Sequence, residues 1–478
     1  MTEHASAFSI DGRVFEFEAP VADLLPLGGY VEVQTPGHRY LGQIMTERGT
    51  RRDDGTAVAV GSGALVASLN DSDDALRLES APFGDASIGA ASTEAIRSYL
   101  TLRGGDSVAL DIGTIRPEVD APARLEASGF SRHTFMCGQS GSGKTYAMGV
   151  MLERLLAQTD LRIIVLDPNS DYVHLGSIVD EPAGQSEGPS GIRRLLGEQR
   201  DRVHVFGGAG SPLRIQFGRL TLRQQAMVLG LDRLADAEEV DIARRIVTEI
   251  GSTEYSLRDL RARADVMDEA AARRLTLRID NLGIENDDIW AQPGEAPVTD
   301  RLPDDWRAVV FDLGSIEMAR ARSIVAAGVV SLIWDRRRER QPVLLMIDEA
   351  HNVCPQEPTD SSQALATEHL IAIAGEGRKF GIYLFLATQR PQKVHESVLS
   401  QCDNLLLMKM NGAADIQRLA MLFSFVPPSL IEMSAGFGLG EGLAAGRITP
   451  GPVFFKTGTR YTPEGGADIP TDWARPRS

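Results

Sequence analysis

Eight consecutive residues, Gly138, Gln139, Ser140, Gly141, Ser142, Gly143, Lys144 and Thr145, could cradle a phosphate. They match G-x-x-x-x-G-K-[ST], the P-loop, and they lie where that motif has meaning. An apolar run at 134–137 leads in as a strand, and Met148, Met151, Leu152 and Leu155 recur at helical spacing behind it. Gly138, Gly141 and Gly143 permit turns that a side chain would block, so backbone N–H groups can approach phosphate oxygens. Lys144 reaches the outer phosphates, and the Thr145 hydroxyl stands where Mg²⁺ is held. The helix N-terminus adds partial positive charge. Tyr146, next in the chain, is counted with the nucleotide-binding set. The chemistry is capture of a nucleoside triphosphate.

A second group could split that triphosphate. Val343-Leu344-Leu345-Met346-Ile347 is a buried apolar strand ending in Asp348-Glu349-Ala350-His351. In this Walker B pattern Asp348 supports the Mg²⁺ shell and Glu349 polarises the attacking water. An acidic pair after a strand also suits a helix N-terminus, and the P-loop upstream favours the catalytic reading. Gln389, in Ala387-Thr388-Gln389-Arg390-Pro391, closes another apolar strand and can touch the γ-phosphate or its water as a sensor. Arg378, in Gly375-Glu376-Gly377-Arg378-Lys379-Phe380-Gly381, fits either an arginine finger for a neighbouring subunit or a basic helix end. Asp167 and Asp171, in Asp167-Pro168-Asn169-Ser170-Asp171-Tyr172, fit metal or water organisation, and plain turn chemistry equally. The Arg336-Arg337-Arg338-Glu339-Arg340 cluster reads better as a helix C-terminus than as a DNA patch.

These residues need a scaffold. From about residue 132 apolar runs alternate with helical stretches, the pattern of a parallel sheet covered on both faces. Strands are expected at 163–166, 308–313, 343–347, 382–387, 405–408 and 453–455. The fold class is α/β: a RecA-like P-loop core spanning 126–456, with 180–303 as a helical insertion. In that insertion Val240, Ala243, Val247 and Ile250 share a face, and Gly251 caps their helix. Short alternating runs before this, at 13–17, 30–33, 40–44 and 57–60, predict a small antiparallel barrel within 1–125. A further barrel strand is expected near 107–112, after a polar link around 71–92. Residues 457–478 read as an extended arm.

Composition narrows the partners. Of 478 residues, 49 are Lys or Arg and 66 Asp or Glu, a net charge of −17. That excludes a broadly basic coat for nucleic acid, though not a locally basic pore. Three cysteines without CxxC spacing argue against a disulfide scaffold or zinc ribbon. The first ten residues lack a signal-peptide pattern, and no apolar run reaches the ~20 residues that span a bilayer. The expectation is a cytoplasmic protein without membrane contact.

In this order, GQSGSGKT, VLDPNSDY, LLMIDEAH, GEGRKFG, FLATQRP and the late glycines of Gly440-Glu441-Gly442 resemble the HerA family of the HerA/FtsK P-loop motors. The resemblance covers most of the chain and equates the early strands with a HerA–ATP synthase barrel. It implies a hexameric ring hydrolysing ATP between subunits and moving along double-stranded DNA. Arg378 then matches the trans-acting arginine, and Arg132 a second basic residue near the nucleotide. It also implies a NurA-type nuclease or another effector as partner, in DNA end processing or phage defence. The family commonly has Glu where this chain has Asp171 and His where it has Asn169; Asp keeps the charge and shortens the reach. The alternative is an assembly ATPase whose ring scaffolds or gates an effector. An ABC-type ATPase is set aside, because Ser434-Ala435-Gly436 follows Walker B instead of preceding it.

Overall fold

The computed structural model describes residues 5–21, 25–69, 81–102, 107–116, 119–179, 191–208, 210–292 and 294–466. The chain forms two units, Met1–Thr159 with Cys402–Arg460, and Asp160–Gln401 with Tyr461–Ser478.

In the first unit, β1 (Ser6–Ser9), β2 (Val14–Pro20), β3 (Tyr30–Thr35), β4 (His38–Arg51), β5 (Ala57–Ser68) and β6 (Phe83–Ala90) close a barrel in the order β1-β2-β5-β4-β3-β6. Every pairing is antiparallel. The alternation in β2 sends Phe15, Phe17 and Ala19 inward and leaves Glu16 in solvent. Their rings need room, and Gly63 provides it: a Cβ there would lie 2.2 Å from the Phe15 ring and 2.6 Å from the Gln43 carbonyl oxygen. The sixth strand lies inside the expected polar link. It alternates with Gly84, Ala86 and Gly89, small residues that carry little hydrophobic signal. The strand expected near 107–112 exists as Ala109–Arg116, yet it belongs to a different sheet, where it pairs with Val453–Thr457 and Val119–Glu126.

That sheet runs His133–Cys137, Cys402–Met408, Glu441–Gly446, Val453–Thr457, Ala109–Arg116, Val119–Glu126. Only its first pair is parallel. Gln43 of β4 ties the barrel to it, with Nε2 donating to the Gly28 and Pro452 carbonyls at 3.0 and 2.8 Å.

The second unit carries five parallel strands in the order Val203–Phe206, Ala308–Asp312, Arg162–Asp167, Val343–Ile347, Ile382–Thr388. Helices cover both faces, so Val343–Ile347 is buried at every position. The edge strand Val203–Phe206 lies inside the region read as helical, which otherwise holds Ile192–Gln199, Leu222–Val228, Ala237–Ile250, Leu257–Asp265 and Ala270–Leu282. Gly251 caps Ala237–Ile250 with φ 63°. The buried face of that helix is Glu239, Ile242, Ala243 and Ile246, so Val240, Val247 and Ile250 sit half-exposed at its margin. At the end of Ala319–Asp335 the Arg337 guanidinium donates to the Trp334 carbonyl at 2.8 Å and lies over the Trp334 ring, which is the helix-end role. The expected arm is described as far as Gly466, where the Tyr461 carbonyl accepts from Val179 N–H and Gly465 N–H donates to the Asp171 carbonyl at 3.2 Å. Residues 70–80, 180–190 and 467–478 of these expectations lie outside the described residues.

Candidate functional site: a P-loop and a carboxylate edge

The strand His133–Cys137 is buried throughout and delivers the chain to Gly138. Its parallel neighbour is pinned by Asn404, whose Nδ2 donates to Gly129 O and Thr134 Oγ1, both at 3.0 Å, while its Oδ1 accepts from Arg447 and Ile448 N–H. Loop 138–143 then turns back on itself. Gln139 N–H donates to Lys409 O at 2.9 Å, Ser142 N–H to Gln139 O, and Gly440 N–H to Ser142 O at 2.9 Å. Gly141 and Gly143 hold φ values of 73° and 89°, the left-handed region where glycine is unstrained. Ser140 and Gly141 face solvent, and Ser142 is buried. Lys144 opens the helix Lys144–Gln158 and is 5 % exposed.

The helix N-terminus has no side-chain cap. The positive end of its dipole suits an anion such as a phosphate. Behind this end the helix is fixed on all sides. Arg154 pairs with Glu153 at 3.1 Å and donates to the Asp111 and Thr459 carbonyls at 2.9 and 2.8 Å. The Tyr146 hydroxyl accepts from Arg460 N–H at 2.8 Å. Arg132 precedes the strand and meets Asp403 at 3.4 Å. Five residues of strand, about 17 Å, separate it from Gly138.

In the second unit the register puts carboxylates side by side. Asp167 pairs with Asp312, and Leu166 with Ile347, so Asp312, Asp167 and Asp348 leave three adjacent parallel strands at one level. Carboxyl ends of parallel strands are where α/β sheets bind ligands. Asp167 is fully buried and accepts N–H bonds from Asn169 and Asp171 on Oδ1, at 3.3 and 3.0 Å, and from Tyr172 on Oδ2 at 2.8 Å. Burial, reinforced by the Asp348 charge, pushes its carboxyl up to about 6 against the pull of those three donors. Asp167 thus organises the loop, and Asp171 enters that loop through its backbone. Ser170 takes a left-handed φ of 63°, and its hydroxyl donates to Asp312 at 2.7 Å. Tyr172, buried at the base, points its hydroxyl to Asp348 Oδ2 at 3.5 Å.

Glu349 has φ 45° and ψ 50°, left-handed for a residue with a side chain. Its carboxylate is gripped from two sides. Gln389 Nε2 donates to Oε1 at 3.0 Å, and His351 Nδ1 lies 3.2 Å from Oε2. Gln389, expected at phosphate or water, is therefore engaged with the glutamate. Arg378 is not brought to this group. It lies in the turn Gly377–Phe380 that leads into Ile382–Thr388, while Gln389 follows the same strand. Seven residues of strand, about 23 Å, lie between them. Asp312, Tyr172, His351 and Thr388 went unmarked in the sequence, since each is defined by a partner on another strand.

Asp348 and Thr145 offer hard oxygen donors, the kind Mg²⁺ takes. Among the described residues no three His, Cys, Asp or Glu converge on a common point. Magnesium does not require such a cage, because it fills its shell with phosphate and water. All three cysteines are buried as thiols. No described helix is long and apolar enough to cross a membrane.

Residues 110–327 match the family described as Helicase HerA, central domain, and residues 308–410 match the ATPase family associated with various cellular activities. The DNA double-strand break repair helicase HerA of Pyrococcus furiosus is 22% identical over 385 residues, covering 73% of this chain and 69% of that protein. A probable DNA double-strand break repair helicase HerA of Methanocaldococcus jannaschii is 33% identical over 129 residues, 27% of this chain and 25% of its own. Among solved structures, VirB4 of Thermoanaerobacter pseudethanolicus shares the fold with a TM-score of 0.54 at 16% identity, over 74% of this chain and 97% of that one. The nucleotide-binding loop, the carboxylate edge and these matches together make the chain an ATP-hydrolysing enzyme similar to the HerA-type P-loop ATPases.

Proposed function

We propose that this ATPase is a DNA translocase of HerA type, working on double-stranded DNA as a homo-hexameric ring. The observation that carries the ring is the placement of Arg378, a full strand length of about 23 Å from Glu349 and Gln389. An arginine so far from the carboxylate of its own chain completes hydrolysis only in a neighbour. Arg132, at the amino end of its own strand, is assigned to the nucleotide on the resemblance alone. Lys144 and the uncapped helix N-terminus hold the phosphates; Glu349 takes the proton of the attacking water, oriented by Gln389; Arg378 stabilises charge across the subunit boundary. Thr145 and Asp348 would hold Mg²⁺, which when bound neutralises charge on the β- and γ-phosphates. Support for DNA comes from the relatives, named as double-strand break repair helicases. A NurA-type nuclease or another effector, in DNA end processing or phage defence, completes the reading, in the cytoplasm.

The test is steady-state ATP hydrolysis with and without linear duplex DNA at low salt, with Glu349→Gln as the blank. Several-fold stimulation by DNA is expected, and Glu349→Gln should bind ATP with turnover lowered by at least about 10²-fold. Hydrolysis that depends on Glu349 and ignores DNA would replace the translocase with a ring that scaffolds or gates an effector.

A further inference from the structure

Glu349 is the reactive carboxylate of the proposed mechanism, and its neighbours include a residue that no step above uses. His351 lies two positions on, in the short turn Ala350–Asn352, and is largely buried. Its Nδ1 is 3.2 Å from Glu349 Oε2 and 2.9 Å from Thr388 Oγ1. The Thr388 hydroxyl oxygen also accepts the Arg390 N–H at 3.0 Å. Two segments, the Walker B turn and the end of strand Ile382–Thr388, therefore meet at one imidazole nitrogen.

The protonation pattern follows from the partners. An ionised carboxylate brings no proton to its side of the contact. A hydrogen on His351 Nδ1 serves both neighbouring oxygens, Glu349 Oε2 at 3.2 Å and Thr388 Oγ1 at 2.9 Å. Gln389 supplies the matching donor to Oε1. The Gln389 backbone N–H also donates to Oε2, at 3.5 Å, so both oxygens are held and neither rotation of the carboxylate nor a swing of its stem is free. The left-handed backbone at Glu349 is strained for a residue with a side chain and needs such restraint to persist.

We propose that His351 is a positioning residue for ATP hydrolysis: through Nδ1 it aims the Glu349 carboxylate and locks it to the Thr388 end of the adjacent strand. It acts through Glu349 and does not touch the nucleotide. The inference rests on the reading of Glu349 as the base.

Three substitutions at one position test it in the full-length protein with saturating Mg²⁺ and ATP. The amide nitrogen of asparagine can occupy the place of Nδ1, whereas that of glutamine reaches the place of Nε2. His351→Ala is expected to lower kcat about 10²-fold, the usual cost of misplacing a reacting group by about 1 Å, with the ATP KM unchanged. His351→Asn should restore kcat to within about tenfold of the parent, and His351→Gln should not. Thermal unfolding is followed for all three, and if His351→Ala does not fold, the Asn and Gln pair decides alone. Full kcat in His351→Ala, equal rescue by Asn and Gln, or a KM that rises as kcat falls would each overturn the proposal. Glu349→Gln is run in parallel: turnover retained there removes Glu349 as base, a failure separate from that of His351.

Discussion

Glu349 shows how a single residue can be readable in kind and unreadable in setting. Its identity and place after an apolar strand suit the proposed role of water-activating base, and the structure leaves its carboxylate at the carboxyl end of that strand beside Asp348. The restraints on it are another matter. Gln389 is 40 positions away and Thr388 is 37 from His351, so nothing in local spacing announces the contacts. The same holds for Asn404, whose partners Gly129 and Thr134 come from the other end of the first unit. The engagement of Gln389 yields a discriminating prediction. If its work is to hold Glu349, Gln389→Ala removes one charge-assisted hydrogen bond, and kcat should fall about 10–100-fold while the ATP KM stays put. A Gln389 that instead grips the γ-phosphate would show its loss mainly as a rise in KM. Initial-rate measurements over a range of ATP separate the two.

Elements were legible where burial is complete. Strands such as Val343–Ile347 are apolar at every position because helices cover both faces, and such runs announce themselves. Phe83–Ala90 and Val203–Phe206 are short, half-exposed or built from small residues, so they blend into link and helix. The helix Ala237–Ile250 was found, with its face rotated, because Glu239 turns inward to pair with Arg274 and shifts the buried stripe. A prediction belongs to the helix pair Ala319–Asp335 and Ser361–Glu376, joined by His369 Nδ1 and Ser331 Oγ at 2.9 Å. Burial holds the His369 imidazole below its ordinary 6.5, helped by the Arg223 charge and opposed by Asp335 and Glu368. The folded state thus binds this proton less tightly than the unfolded chain. Its contribution to stability is whole above pH 6.5 and is lost as pH falls below that value toward the lower folded pKa. The urea midpoint should drop between pH 7.5 and 5.5, and His369→Asn, which cannot titrate, should flatten that drop.

At the scale of the whole molecule, the proposed hexamer makes a claim that mixing can check. Arg378→Ala should bind ATP normally and hydrolyse it at least about 10³-fold more slowly, and Lys144→Ala should fail to bind it. Neither alone turns over. Combined, they form interfaces in which an intact P-loop faces an intact arginine, and hydrolysis should return, most strongly when the two are mixed in equal amounts. No recovery at any ratio would put Arg378 to work inside its own subunit. The barrel-plus-motor plan was legible because two periodicities, alternation first and buried runs later, change near residue 130. The division into two units was not, since it depends on which distant strands meet.

That division has a consequence for the nascent chain. The first unit takes its strands from both ends of the sequence, with 160–401 emerging in between. His133–Cys137 leaves the ribosome long before its parallel partner Cys402–Met408 exists, and at about 5–20 residues per second the interval is on the order of tens of seconds. Throughout it, the barrel can close from residues already made, while the strand that carries the P-loop waits for its parallel partner in the same unit. Nucleotide capture is thus a late event in biogenesis: a chain that stalls before Gly440 has its phosphate loop in sequence but lacks the N–H that holds Ser142 in place.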